Sequence, residues 1–567
     1  MICLGINEDL FDSGAALCDG SRVLFAANEE RYSRRKNEGG FPHKSLDALM
    51  KATGVEPSDV DCICVSGIMT PPLPVRIFPR MHNWIFDALR SRNETLFKRL
   101  MDMAMFMTPV SHTSDTSLLR SITRPFLAPA TRRTLPKPLR GIGLNFVDHH
   151  RAHAAGAWHC SGYEEALAIT ADGMGDGVSL TVSRCTAGTG VERLWSAPSR
   201  SSLGMFFEVL AESFGFVSCR DEGKITGLAA CGDASRVQEP SPFAFVDGRL
   251  EYRGLHGRQG IEWAKRTLTA RYSREDVAAW AQAILEDTLA EVAARWLRET
   301  GLKRLVVAGG VFANVRLNQR LHELDEVESL FVYPNMGDGG LSLGVIRDTQ
   351  ALPPEKISNV FLGDSFSKAE IESALARASL DFEHCPAMEE RVAELLAEGR
   401  IVARFDGAME WGPRALGNRS ILVRTSDRDV VARLNTLLRR SDFMPFAPAV
   451  IAEDSGEYVL GADKARHAAE FMTVCFACTQ RMKDEHPAVV HVDGTARAQL
   501  VVKENNPGFH EILRCFKQRS GTGVVLNTSF NIHEEPIVRT PDEAITAFLK
   551  ARLDYLAIGE FLVKCPF

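Results

Sequence analysis

Four side chains of two types stand out for what they could hold between them. His149 and His153 lie four positions apart in FVDHHRAHAAGAW, residues 146–158. At that spacing in a helix the two imidazoles share one face, and neutral imidazole is a good ligand for a divalent ion. Asp172 closes an apolar run in ADGMGDG, and Asp338 closes another in PNMGDGG. Two imidazoles and two carboxylates suit a borderline divalent ion with positions left for substrate oxygens, and iron, manganese and zinc are all compatible. Taken singly the same residues have plainer uses: a polar helix start for the histidines, and turn chemistry for an Asp among glycines.

A second kind of chemistry is oxyanion binding. The chain has no Walker loop, because GKIT at 223–226 lacks the upstream glycine, and it has no GxGxxG. It has instead glycine turns: the one at Asp12, the run Asp172 to Gly177 with Gly173 and Gly175, EGKITGLAACG with Lys224, and AGGVFANVRLN with Gly309, Gly310 and Asn314. Backbone N–H groups in such turns can hold phosphate oxygens, and they can equally be ordinary strand-end loops. The C-terminal third is richer. GAMEWGPRALGNRSILV brings Arg414, Asn418, Arg419 and Ser420, and LLRRSDFMPFAPAV adds Arg439 and Arg440. VVHVDGTARAQLV adds His491, Asp493, Thr495 and Arg497, and VVLNTSFNIHEEPIV adds Asn527, Thr528, Ser529 and Asn531. Guanidinium forks, hydroxyls and amides with few local acids suit phosphate or carbonate-like groups. A solvated basic face is the alternative.

The elements that must position these groups follow from periodicity. ICLGI predicts a strand, and AALCDGSRVLFAANEE a strand pair folding back at Asp19-Gly20. EALAITADGMGDGVSLTV repeats the plan of strand, acidic glycine turn and strand, which suggests two lobes. Val277, Trp280, Ile284, Leu285, Leu289, Val292 and Trp296 mark a helix over 274–300 closed by Gly301. The strand RLVVAGG, a helix from about Asn314 and the strand SLFVYP follow, and in open α/β sheets ligands bind at such strand ends. Residues 351–360 read as a linker. Between about 66 and 140 the chain is irregular and basic, with the Met-rich stretch FKRLMDMAMFMTPV, either core filling or a lid over a substrate.

Composition bounds the rest. A chain of 567 residues with 45% hydrophobic and 25% charged residues is an ordinary globular protein of several domains. A net charge of −7 argues against a protein built mainly to grip nucleic acid. No apolar run suffices to span a bilayer, the N-terminus is not a signal peptide, and the 13 cysteines have no framework, so a reducing cytoplasm is expected. The one CxxC, Cys475 to Cys478 in FMTVCFACTQ, alternates like a strand and reads as buried thiols rather than a zinc site.

The stretches EERYSRRK, DHHRAHA, ADGMGDG, GKITGLAACG, AGGVFAN, NMGDGGLSLG, GPRALGNRS, HVDGTARAQ and LNTSFN run in order over nearly the whole chain. Together they resemble the O-carbamoyltransferases, the family of nodulation protein U and of the cephalosporin and tobramycin carbamoyltransferases. The resemblance implies an α/β protein. Residues 1–352 would be an actin-like ATPase-fold transfer domain similar to the tRNA threonylcarbamoyl transferase subunit, with the irregular stretch inserted. Residues 353–567 would be a domain similar to threonylcarbamoyl-adenylate synthase. It implies that ATP, with Mg²⁺, and carbamoyl phosphate give carbamoyl-adenylate in the second domain, and that the first transfers the carbamoyl group to a hydroxyl of a small metabolite, in antibiotic-like biosynthesis. His149, His153, Asp172 and Asp338 map onto the family's metal motif, with iron favoured over manganese or zinc, and His150 would support the helix or the nucleotide. Lys224, Arg414, Arg419, Arg439 and Arg440 map onto charge-neutralising roles, and the glycine, hydroxyl and amide groups above onto nucleotide binding.

Two departures bear on the chemistry. Several relatives carry His just before the Asp of the first turn, where this chain has Phe11, so either Asp12 is the local candidate base or transfer relies on metal and positioning alone. Met444 stands where relatives often have Arg, a donor that Arg439 and Arg440 would replace. Acceptors on tRNA or protein, and a non-catalytic nucleotide-binding relative, are the alternatives. No membrane partner is expected, and a homodimer is compatible with the sequence.

Overall fold

The computed structural model describes residues 1–90, 117–350, 352–438 and 446–567. They form two compact units. The first comprises Met1–Glu29 and Asn37–Ile357, the second Glu30–Lys36 and Ser358–Phe567. The sequence places a cut between 352 and 353; the structure places it after Ile357 and also assigns the segment Glu30–Lys36 to the second unit.

The first unit holds two five-stranded sheets of the same plan. In one, β1 (Ile2–Asn7), β2 (Gly14–Asp19) and β3 (Arg22–Asn28) form an antiparallel meander, and β4 (Cys62–Ser66) and β5 (Leu144–Val147) extend it in parallel, in the order β3-β2-β1-β4-β5. Gly20 takes φ 56° at the β2–β3 turn, as the Asp-Gly pair predicts. In the other, β6 (Glu165–Gly175), β7 (Val178–Thr186) and β8 (Gly190–Pro198) form the meander. A hairpin of β9 (Phe243–Val246) and β10 (Arg249–Tyr252) intervenes, and β11 (Arg304–Ala308) and β12 (Ser329–Val332) complete the order β12-β11-β6-β7-β8. Read from its meander outward, each sheet has three antiparallel strands and two parallel ones. That duplication matches the repeated strand, acidic glycine turn and strand that the sequence predicts.

Helices position the loops between these strands. The helix His149–Ser161 buries every residue except Arg151, as a helix with alanines on all faces must. It packs on the helix Leu341–Gln350, where a Cβ on Gly344 would lie 2.2 Å from the Ala152 carbonyl oxygen. The helix Arg274–Thr300 has the bounds its stripe predicts: the Ser273 side chain accepts from Asp276 N–H, and Gly301 closes it at φ 72°. Of that stripe Trp296 is half-buried and the others are buried. The irregular stretch contributes the helices Leu73–Ile77, Pro79–Arg90 and Ser117–Thr134; its Met-rich part lies outside the described residues. It is anchored to the loop after β1 through a buried ion pair of Arg76 with Glu8, whose carboxylate also accepts the Thr131 hydroxyl at 3.1 Å.

The second unit is built on a mixed eight-stranded sheet. Its strands are β13 (Glu383–His384), β14 (Val402–Phe405), β15 (Arg419–Arg424), β16 (Ala447–Ile451), β19 (Gln499–Val501), β20 (Val524–Ser529), β21 (Tyr555–Ile558) and β22 (Phe561–Lys564), in the order β13-β22-β21-β14-β15-β20-β16-β19. A separate pair, β17 (Phe476–Ala477) and β18 (Thr495–Ala496), carries the CxxC. The strand expected there shrinks to two residues, flanked by buried Cys475 and Cys478. The helices Met388–Ala397 and Pro507–Ser520 cover the sheet through Val392, Leu395, Leu396, Phe509, Ile512, Leu513 and Phe516. All 13 cysteines are free thiols. Among the described residues no helix is long and apolar enough to cross a membrane.

Candidate metal centre and anion-binding arginines

The histidine helix starts where two carboxylates stop the chain before it. Asp148 caps it by accepting Arg151 N–H at 2.8 Å, and Asp176 accepts His149 N–H at 3.0 Å. The helix then places His149 and His153, both fully buried, on the face toward the ends of β6 and the NMGDGG turn. His153 Nε2 lies 3.3 Å from Asp172 Oδ2 and 3.4 Å from Asp338 Oδ1; for His149 Nε2 the distances are 3.7 and 3.6 Å. Ligands at about 2.1 Å around a four-coordinate ion are about 3.4 Å apart, so these separations fit an ion at the centre. One ligand atom from each of the four side chains falls within 4.8 Å of every other. Gly175 makes room, since a Cβ there would lie 2.0 Å from His149 Cδ2.

The polar accounting points the same way. Both ring nitrogens of His149 and His153, and Asp338 Oδ1, are buried without a hydrogen-bond partner. Orphaned buried polar atoms are costly, and a shared cation satisfies the Nε2 and Oδ1 members together. Burial opposes protonation of His149, but Asp338, Asp172 and Asp9 outweigh it and raise its pKa well above the histidine range. Burial likewise opposes ionising Asp172, and His149 and His153 outweigh it, whereas burial and the charge of Asp172 raise Asp338 to about 6. The field between the four therefore favours a positive charge.

Groups behind the four hold them in place. Asp9 Oδ2 lies 3.4 Å from His149 Nδ1, on the ring edge opposite Nε2, while its Oδ1 accepts Leu10 N–H at 2.7 Å. His150 points away from the cluster, its Nδ1 2.8 Å from the Thr170 hydroxyl and its Nε2 2.9 Å from the Val178 carbonyl. It supports the helix. Sequence reasoning missed Asp9 and Asp176, though the second acid of ADGMGDG was in view.

The phosphate-type turns of the first unit divide. Asp12 takes φ 49° and sits beside Gly337, where an added Cβ would be 3.7 Å from its Oδ2, next to the ligand Asp338. Gly309 takes φ 104°, Gly310 N–H donates to Asp172 Oδ2 at 3.1 Å, and Gly173 N–H to Asp172 Oδ1 at 2.7 Å, so these turns orient the ligand carboxylate. Asn314 caps the helix Val315–His322 and bonds Thr226 and Gln282. Lys224 pairs with Asp221 at 3.0 Å. Phe11 packs on Phe86, ring centroids 5.7 Å apart.

In the second unit the GPRALGNRS loop is bound at nearly every peptide. Glu410 Oε1 accepts the N–H groups of Leu416 and Asn418 at 2.9 Å and of Arg419 at 3.1 Å. Arg419 lies 3.7 Å over the Phe405 ring and donates to the Asp406, Asn418, Gly407 and Asp364 carbonyls. Ser420 accepts Gly417 N–H, and Asn527 donates to the Ala415 carbonyl and to Gln499. These contacts shape the loop, while Arg419 Nε and Asn527 Oδ1 are buried without a hydrogen-bond partner. Burial and then the charge of Arg497 lower the pKa of Arg414 well below the arginine range, and burial lowers Arg497 as well. An oxyanion between two such guanidiniums would relieve both their burial and their mutual repulsion. His491, Asp493 and Thr495 form one turn, in which Asp493 accepts both Thr495 N–H and its hydroxyl. Ser529 bonds Asn531, whose amide donates to the Glu535 carbonyl, and Thr528 is buried on β20. Arg439, Arg440 and Met444 lie outside the described residues.

Comparison with known proteins adds the following. The family description Carbamoyltransferase N-terminus matches residues 2–346, and Carbamoyltransferase C-terminus matches residues 393–565. Nodulation protein NolNO of Sinorhizobium fredii is 30% identical over 595 aligned positions, covering 100% of this chain and 82% of that protein. The 3'-hydroxymethylcephem-O-carbamoyltransferase of Streptomyces clavuligerus is 31% identical over 60% of this chain and 64% of its own. Among solved structures, the activator of the 2-hydroxyisocaproyl-CoA dehydratase from Clostridium difficile, with bound ADPNP, aligns at TM-score 0.32 and 14% identity, covering 62% of this chain and 96% of that one.

Proposed function

Because the chain belongs to the carbamoyltransferase family, we propose that it is an ATP-dependent O-carbamoyltransferase working in two steps, one in each unit. In the second unit carbamoyl phosphate loses phosphate to water and leaves carbamate, which attacks the α-phosphate of ATP and releases pyrophosphate. The product is carbamoyl-adenylate. In the first unit an acceptor hydroxyl attacks the carbamoyl carbon, AMP leaves, and the hydroxyl proton passes to a base. Both carbamate and its adenylate are labile in water, which gives each site a reason to exclude it.

The observation that carries this reading is the cluster of His149, His153, Asp172 and Asp338. These four would hold a divalent ion, iron by family resemblance, which when bound supplies a Lewis acid for a phosphate or carbonyl oxygen. The chain's own residues do the rest. Asp9 holds the ring of His149 so that Nε2 faces inward. Asp172 is oriented by the N–H groups of Gly173 and Gly310. Asp12, beside the Asp338 turn, is the group placed to take the hydroxyl proton, since Phe11 cannot. In the second unit Arg414 and Arg497 neutralise phosphate charge while Mg²⁺ accompanies ATP.

The acceptor class proposed is a small hydroxylated metabolite of specialised biosynthesis, supported by the name of the Streptomyces clavuligerus relative. A net charge of −7 supports a partner other than nucleic acid. The free thiols support a reducing, cytoplasmic setting. The test is to incubate the chain with ATP, carbamoyl phosphate and a panel of hydroxylated amino acids, sugars and macrocycles, and to read acceptor masses. Gain of one carbamoyl group with stoichiometric AMP supports the reading. Absence of carbamoyl-phosphate-dependent pyrophosphate release contradicts it.

A further inference from the structure

The segment Glu30–Lys36 is flanked on both sides by first-unit residues, yet it packs as part of the second unit. Its two ends are fastened to one loop. Glu29 N–H donates to the Ser13 carbonyl at 2.8 Å, Ser13 N–H to the Glu38 carbonyl at 2.8 Å, Asp12 N–H to the Asn37 carbonyl at 3.3 Å, and Gly40 N–H to the Asp9 carbonyl at 2.7 Å. That loop, Asp9–Ser13, carries the residue behind His149 and the residue beside the Asp338 turn. The Glu29 carboxylate adds bonds to Lys44 and Ser45 N–H at 3.0 and 2.7 Å.

Between these ends the segment is held by its arginines. Arg34 donates to the Pro536 and Ile537 carbonyls at 2.8 Å each and pairs with Glu543 at 3.1 Å. The Tyr32 ring lies 4.7 Å beneath the Arg539 guanidinium. Arg31 is 2% exposed and donates from Nη2 to the Gly412 carbonyl at 2.7 Å. The carbonyls that follow in the same loop are taken from within residues 358–567: Ala415 by Asn527 at 3.1 Å, Leu416 by Gln499 at 2.9 Å and Gly417 by Arg404 at 2.8 Å. Arg414 lies between the Gly412 and Ala415 anchors. Its upstream side is fixed by a side chain from the far end of the sequence.

We propose that Arg31 is the positioning residue for the GPRALGNRS loop, borne on a segment whose middle, Glu30–Lys36, packs with that loop's own unit. Arg31 touches no reacting atom in this account. It sets where Arg414 stands, through the Gly412 carbonyl. The catalytic consequence rests on the two-step reading above; the structural one rests on the hydrogen bonds alone.

The experiment compares the full chain with Arg31→Ala and Arg31→Lys by hydrogen exchange and by carbamoyl-phosphate-dependent pyrophosphate release. A lost charge-assisted bond of this kind is worth about tenfold or more in a local equilibrium. The amides of Leu416, Asn418 and Arg419, which bond Glu410, should exchange about tenfold faster in Arg31→Ala. Those of the helix His149–Ser161 should be unchanged. Pyrophosphate release should fall by about the same factor, and Arg31→Lys, which keeps one cationic donor, should recover part of both. Loop exchange equal to the unsubstituted chain overturns the proposal. So does equal loss of protection in the histidine helix with both variants, since that is general destabilisation. A loop effect in a chain that never releases pyrophosphate upholds the positioning role of Arg31 and refutes the function assigned to the loop.

Discussion

The Asp176 carboxylate accepts the backbone N–H of His149 at 3.0 Å and, with its other contacts, fastens the helix His149–Ser161 to the loop after β4. The same carboxylate accepts the N–H groups of Ile68, Met69 and Thr70 at 2.6–3.0 Å and the Thr70 hydroxyl at 3.2 Å. It is fully buried. The helix His149–Ser161 and the start of the irregular stretch are thus held by one carboxylate.

Asp176→Asn preserves size and suits the residue's φ of 51°, but it replaces an acceptor oxygen with a donor that faces N–H groups. Leaving such donors unpaired costs about 3 kcal/mol. Denaturant unfolding should show that loss, and metal content by elemental analysis should drop with it. Unchanged stability would mean the N–H groups find other acceptors.

Asp9→Asn should leave the fold intact and weaken divalent-ion affinity by about 10- to 100-fold, the usual effect of removing the carboxylate behind a ligand histidine. Competition with a fluorescent chelator measures it. An affinity equal to the unsubstituted chain would remove Asp9 from the support of His149.

His153→Ala and Asp338→Ala each delete a member of the four-ligand cluster. Dialysed protein should retain no stoichiometric divalent ion in either variant. Full retention by either would place the ion elsewhere.

His486 gives a pH signature in the second unit. Its Nδ1 and Nε2 bond the Thr425 and Thr522 hydroxyls at 2.6 and 3.0 Å, and burial lowers its pKa to about 4. The unfolded chain takes up a proton near 6.5 and the folded one does not until about 4. Stability from this residue is therefore complete above about 6.5 and is lost as pH falls toward 4, by about 3 kcal/mol. His486→Gln should flatten that part of the stability–pH curve. An unchanged slope would assign the loss to other groups.

What the sequence made legible was whatever recurs with a period or stands in a motif. The HxxxH spacing put two imidazoles on one helix face, and the strand-end positions of Asp172 and Asp338 put two carboxylates opposite. The stripe of the helix Arg274–Thr300 and the Asp-Gly turn gave elements their bounds. Three things were not legible, each for a physical reason. Asp9 and Asp176 act through buried contacts that join residues distant in sequence. Arg419 reads as an oxyanion donor, and its Nη1 and Nη2 also donate to backbone carbonyls, which no pattern of side chains reports. Asn314 likewise spends its amide as a helix cap. And the unit boundary crosses the chain three times, because Glu30–Lys36 folds with residues far downstream.

The division of labour between the units is tested most directly by measuring both half-reactions in His153→Ala and Arg414→Ala. The account predicts that His153→Ala releases pyrophosphate in a carbamoyl-phosphate-dependent manner yet carbamoylates no acceptor, and that Arg414→Ala does neither. Loss of pyrophosphate release in His153→Ala, or its retention in Arg414→Ala, would contradict it.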